Sequence, residues 1–182
     1  MRTQKSGTIV FNSSIFALYP CPTGTLYNSS KAAIDMVYET LKVELAPFNI
    51  RPIIINAGLV RTSVLKNAPM PKNGFGQHYL EKTAVGATLG IVGGLVQDPE
   101  QMPGDPVKFG DRVVEIVDGT GYGEGLENNA RFIFGRDGLQ LAAKKVERLT
   151  GEVKASQKIA ISIDVEGCSA PGVAAVAAVA EF

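Results

Sequence analysis

Thr8-Ile9-Val10-Phe11-Asn12-Ser13-Ser14, followed thirteen residues after Ser14 by Tyr27-Asn28-Ser29-Ser30-Lys31, decides how this chain is read. The first stretch is an apolar run with a polar end, which predicts a strand closing at Ser14. A Pro/Gly/Thr loop at 20–25 then leads into a helix. Tyr27 and Lys31 are four apart, so on that helix they share one face, one turn from each other. A hydroxyl, a phenol and an ammonium brought to one point make a proton-transfer site. An ammonium beside a phenol favours the phenolate, and the serine could hold a substrate oxygen meanwhile.

The spacing alone is weak, because Tyr38-Glu39-Thr40-Leu41-Lys42 repeats it. Tyr38 lies well inside the expected helix at 28–46, among Ile34, Val37, Leu41 and Leu45, so it is read as a packing residue and Lys42 as solvated. Tyr27 differs: it opens the helix, follows the loop and has the serine partner. Beyond Pro47, Ile50-Arg51-Pro52-Ile53-Ile54-Ile55 has no polar alternation and predicts a buried strand at 50–55. It runs into Asn56-Ala57-Gly58-Leu59-Val60-Arg61-Thr62.

These segments together resemble the core of the short-chain dehydrogenase/reductase family: a strand ending in paired serines, Tyr-x-x-x-Lys thirteen residues past the second serine, then a strand with an Asn-Pro-Gly-x-Val-x-Thr turn. Ala57 stands where that turn has proline, which loosens the turn without removing a side-chain hydrogen-bonding group. The resemblance is strong over about residues 6–65, weaker to about 155 and absent in the tail. Toward the C-terminus it loosely resembles the retinol-dehydrogenase-like members.

The resemblance implies an α/β fold: a partial doubly wound, Rossmann-like parallel sheet with helices on its faces, truncated at the N-terminus. Only seven residues precede Thr8, so the chain is read as the C-terminal half of such a domain. The Gly-rich turn for the dinucleotide pyrophosphate is missing. Two segments are expected: 1–155 as the family domain half, and 156–182 as a weakly ordered tail. The implied activity is hydride transfer between NAD or NADP and an alcohol or carbonyl substrate. Ser14, Tyr27 and Lys31 would be catalytic. Tyr27, Lys31, Gly58, Val60 and Thr62 would border the cofactor. The chain alone is expected to be inactive. The helix carrying Tyr27 could join two copies. The alternatives are a non-catalytic fragment or interaction remnant of such an enzyme, and an extended-type epimerase or dehydratase.

Elsewhere the reading is coarser. Gly119-Thr120-Gly121-Tyr122-Gly123-Glu124-Gly125 could be mistaken for the missing fingerprint, but Asp105-Pro106 is a helix entry, which predicts a helix at 106–117 ahead of a glycine loop. Residues 59–80 suit a mobile loop with an apolar lid around Met70, Pro71 and Phe75. His78, the single histidine, is read as a surface or packing residue. Residues 81–96 and 138–150 are expected helices, Arg131–Phe134 is a short strand or extended piece, and Ile159-Ala160-Ile161-Ser162-Ile163 alternates as a strand would. The Ala/Val-rich end from Ala170 is low in complexity.

Composition limits the rest. A net charge of +0 with 45% hydrophobic residues argues against a nucleic-acid surface. Cys21 and Cys168, the two cysteines, fit neither a zinc motif nor a disulfide framework, and Cys21 is read as a small buried apolar residue. No metal is expected, no run reaches membrane-spanning length, and a cytoplasmic setting is the expectation.

Overall fold

The computed structural model of the chain describes residues 1–166. The expected Ala/Val-rich tail lies outside the described residues. Three parallel strands form one sheet in the order β1-β2-β3: β1 Gly7–Ser14, β2 Ile50–Ala57 and β3 Arg131–Phe134. Five α-helices accompany them: α1 Thr25–Leu45, α2 Gln77–Leu80, α3 Ala84–Gln97, α4 Pro106–Asp118 and α5 Arg136–Ile161.

The central strand is β2, covered on both faces, and Ile53, Ile54 and Ile55 are almost wholly buried. That is why its sequence shows no alternation. Pro52 sits in this strand without breaking it. Ile54 donates its N–H to Ala130 O, on the β3 side. Two residues earlier Pro52 faces the same way, where β3 has not yet begun, so its missing N–H costs no ladder bond.

Strand parity assigns the faces. Phe11 of β1 meets Tyr38 of α1 edge-on, with ring centroids 6.2 Å apart. On the opposite face Ile53 packs with Ile116 of α4 and Phe132 of β3, and Phe109 meets Phe134 at 5.0 Å. The sheet is therefore sandwiched between α1 and α4. Tyr38 is buried at 2% exposure, so its reading as a packing residue holds. Its stripe runs through Ile34, Leu41 and Leu45, whereas Val37 is half exposed, and Lys42 is only partly exposed.

α4 begins as Asp105-Pro106 predicts, with the Asp105 carboxylate accepting from Val107 N and Lys108 N. It ends at Gly119 in the left-handed region, φ 67°, a conformation that glycine adopts cheaply. The expected strand at 159–163 is corrected: Ile159–Ile161 form the end of α5, and residues 162–163 form a turn. A helix already propagated gains a bond with each added residue, and no neighbouring strand pairs with this one. The expected helix at 138–150 is thus the first half of a 26-residue element.

Candidate active site

Because all three strands are parallel, their carboxyl ends meet at one edge, with Ser14 level with Ala57, and Ala57 level with Phe134. Open α/β sheets bind ligands at such an edge. Ser14 is buried there, and its Oγ accepts from Phe16 N at 3.2 Å, capping the 3-10 turn Ile15–Ala17. One lone pair serves the cap, and the O–H proton is the group Ser14 can offer an oxygen. Tyr27 lies in the first turn of α1 and is 43% exposed. One turn on, the Lys31 ammonium sits 5.8 Å from the Tyr27 ring centre and donates to Asn12 O of β1 at 2.9 Å. Lys31 thus ties the tyrosine's helix to the end of the serine's strand, with two further ammonium protons to give.

The loop leaving β2 carries Gly58, Val60 and Thr62. Gly58 N donates to Phe134 O at 2.8 Å, and Leu59 N donates to the Asp137 carboxylate of α5 at 2.7 Å. A β-carbon on Gly58 would overlap that carboxylate, so a larger residue there would have to push the Asp137 side chain off Leu59 N. Val60 is partly buried and bridges to Gly104. Arg61 pairs with Glu100 at 2.6 Å and also donates to Met102 O. This anchoring leaves Thr62 exposed, lining a cleft of about 240 Å³ with Arg61, Lys66, Leu95 and Met102. Met70, Pro71 and Phe75 do not line it.

Beneath the edge lies a polar cluster that the sequence reading missed. The Asp35 carboxylate is almost fully buried and accepts from Ser13 Oγ at 2.5 Å, Asn56 Nδ2 at 2.9 Å and Arg131 at 2.6 Å. Asn56 also donates to Ser14 O at 3.1 Å. Arg131 reaches Glu39 at 2.6 Å and lies 5.4 Å from the Tyr38 ring centre. Burial opposes the Arg131 charge, but the hydrogen bonds it donates to Glu39 and Asp35 outweigh it and hold its pKa above the ordinary value. The cluster joins α1, β1, β2 and β3 directly behind Ser14. The signal for it was available: Asp35 follows Lys31 by four on the sheet-facing side of α1, and a charge there requires a partner.

Other expectations meet the structure as follows. Cys21 is half-buried, and desolvation raises its thiol pKa. Its carbonyl accepts from Asn28 Nδ2 at 3.0 Å, which holds the loop against the start of α1. His78 is exposed beside Tyr79, with ring centres 4.4 Å apart. Among the described residues no group of acidic, histidine or cysteine side chains could hold a metal, and no helix is long and apolar enough to cross a membrane.

The nicotinamide dinucleotide implied by the resemblance fits in part. An ammonium with spare protons, an exposed phenol and an exposed hydroxyl suit a ribose diol and a carboxamide. The pyrophosphate does not find its usual seat. Gly119–Gly125 follow a helix rather than a strand and lead by way of a 3-10 turn to β3. None of the three strands turns through a Gly-rich fingerprint into a helix.

Comparison with known proteins gives the affinity of this part of the chain. Residues 1–73 match the family described as short chain dehydrogenase. The short-chain dehydrogenase virD of Hypocrea virens is 42% identical over 67 residues, 37% of this chain and 23% of that protein. The NADPH-dependent 1-acyldihydroxyacetone phosphate reductase of Saccharomyces cerevisiae is 39% identical over 66 residues, 36% of this chain and 22% of that protein. The human dehydrogenase/reductase SDR family member 4 is 40% identical over 72 residues, 40% of this chain and 26% of that protein. The matched region spans about a quarter of these curated relatives. A crystal structure of a short-chain dehydrogenase from Streptomyces avermitilis superimposes with a TM-score of 0.72 at 26% identity, over 90% of this chain and 55% of that one. The family match falls at the N-terminal end of this chain and lends no support to reading it as a C-terminal half that lacks its N-terminal half. Residues 1–73 thus match the short-chain dehydrogenase family, and most of the chain is similar in fold to about half of a short-chain dehydrogenase.

Proposed function

We propose that this chain carries the proton-transfer and substrate-orienting site of an NAD(P)-dependent oxidoreductase acting on an alcohol or carbonyl compound. The observation that carries the reading is Lys31, which stands beside the Tyr27 ring while bonded to the strand that ends in the buried Ser14. Ser14 O–H would donate to the substrate oxygen and fix its direction. The Tyr27 phenol would give that oxygen a proton in reduction and take it back in oxidation. Lys31 would stabilise the phenolate and hold the ribose hydroxyls, and Gly58, Val60 and Thr62 would border the nicotinamide ring. When bound, the dinucleotide would supply or accept the hydride.

The pyrophosphate seat would belong to further sheet beside β1, whose outer edge is unpaired among the described residues. In that arrangement these three strands are the C-terminal part of a doubly wound domain. The exposed Leu26, Met36 and Val37 on α1 suit a contact between copies through that helix.

The test uses any polypeptide that contains these 182 residues and binds dinucleotide. Alcohols are offered with NAD and NADP, and carbonyls with their reduced forms. Tyr27→Phe lowers kcat by about 10²- to 10⁴-fold, the usual share of a general acid–base group, while Tyr38→Phe leaves turnover within a few-fold. A greater loss in Tyr38→Phe would overturn the assignment.

A further inference from the structure

α5 is 26 residues long, about 39 Å at the helical rise, but only its first turns lie on the body. From Val146 onward every described residue is exposed. Leu139, Val146, Leu149 and Val153 are 58%, 65%, 47% and 59% exposed, large apolar side chains that no other described residue covers. Together with Ala142 they recur at alternating steps of three and four, the 3.5-residue period of a coiled-coil seam rather than the broader stripe of a helix laid on a globule.

We propose that this seam pairs with the same helix of a second copy, antiparallel, centred between Val146 and Leu149. In that register Val146 meets the partner copy's Leu149, and Val153 meets its Ala142. Lys145 and Glu152 flank the seam on one side. The same register sets Lys145 of each copy against Glu152 of the other, so the pairing forms two interchain ion pairs about the two-fold axis. In a parallel pair Lys145 and Glu152 would face Thr150 and Gln157 instead, without complementary charge. The antiparallel register also lays the free second half of each helix along the anchored first half of the other.

A membrane surface is the competing occupant. The helix carries more Lys and Arg than Asp and Glu, as surface-seeking helices do. The narrow seam favours a protein partner, and Glu152 beside it, held 3.4 Å from Arg148 one turn back, offsets part of the basic charge that anionic headgroups would need.

Sedimentation equilibrium of the full 182-residue chain tests this at concentrations from micromolar to millimolar. The wild type forms a dimer. Lys145→Glu or Glu152→Lys alone sets like charges together at both contacts and raises the dimer Kd by about tenfold. The double exchange Lys145→Glu with Glu152→Lys restores it to within about threefold of wild type. A monomer throughout the range, single variants that dimerise like wild type, or no recovery in the double exchange would each overturn the proposal. Binding of a monomer to vesicles containing phosphatidylserine would transfer the seam to a lipid surface.

Discussion

Tyr27 and Tyr38 share the same Tyr-x-x-x-Lys spacing and have opposite fates. The difference was legible because it depends on neighbours in sequence: a loop and a serine strand before one, an apolar stripe around the other. Burial pushes the Tyr38 phenol up to about 12, with the Glu39 charge adding to the rise. A group whose pKa rises on folding contributes stability that is complete below its unfolded value of 10.0 and is lost as pH climbs toward about 12. Tyr38→Phe therefore flattens the fall of melting temperature across that alkaline window; an unchanged slope would contradict the burial account. That Asp35 needs a partner was legible from its place on α1, but which partners it has was not, because Asn56 and Arg131 lie 21 and 96 positions away. Asp35→Ala strands a half-buried guanidinium and costs about 3 kcal/mol or more. Asp35→Leu combined with Arg131→Met costs less than Asp35→Ala alone. Urea unfolding of the two variants and the wild type measures this, and a double variant as unstable as the single one would show that packing, not charge pairing, dominates the site.

Elements defined by local signals were read well, and those defined by distant ones were not. The entry to α4 is written in two residues, Asp105-Pro106, because a cap acts on the N–H groups immediately after it. Those hydrogen bonds from Lys108 and Val107 hold the Asp105 carboxyl below its ordinary value. Its contribution is present above that value and is lost as pH falls through the lowered one. Asp105→Ala thus lowers the melting temperature at pH 7, and the gap to wild type closes in strong acid. A gap that persisted there would mean that the carboxylate is not the cap. The end of α5 was misread because Ile159–Ile163 alternates by chance, and alternation forms a strand only where an edge is available to pair with. Its length follows from a preceding stretch rich in helix formers, which Thr150 and Gly151 interrupt without ending the helix.

For the whole molecule, the parallel sheet and its two covering helices follow from the order of apolar segments, and β2 was recognisable as central from its unbroken isoleucines. The position of Thr62 was not, since Glu100, Met102 and Gly104 fix that loop from far along the chain. Hydrogen exchange should grade the sheet accordingly. The amides of Ile53–Ile55 exchange slowest, and alternate amides of β1 facing its outer edge exchange fast. Uniform protection along β1 would place another strand on that edge. The most direct test of the site is an amide NMR titration of the 182-residue chain with reduced nicotinamide mononucleotide, adenosine monophosphate and NADPH. The account predicts shifts from the mononucleotide at Ser14, Tyr27, Lys31, Gly58, Val60 and Thr62, and none at these residues from adenosine monophosphate. It also predicts that NADPH binds no more than about tenfold tighter than the mononucleotide, roughly 1.4 kcal/mol, because no pyrophosphate seat is added. Shifts absent from those six residues, or gathered at Gly119–Gly125, would contradict it.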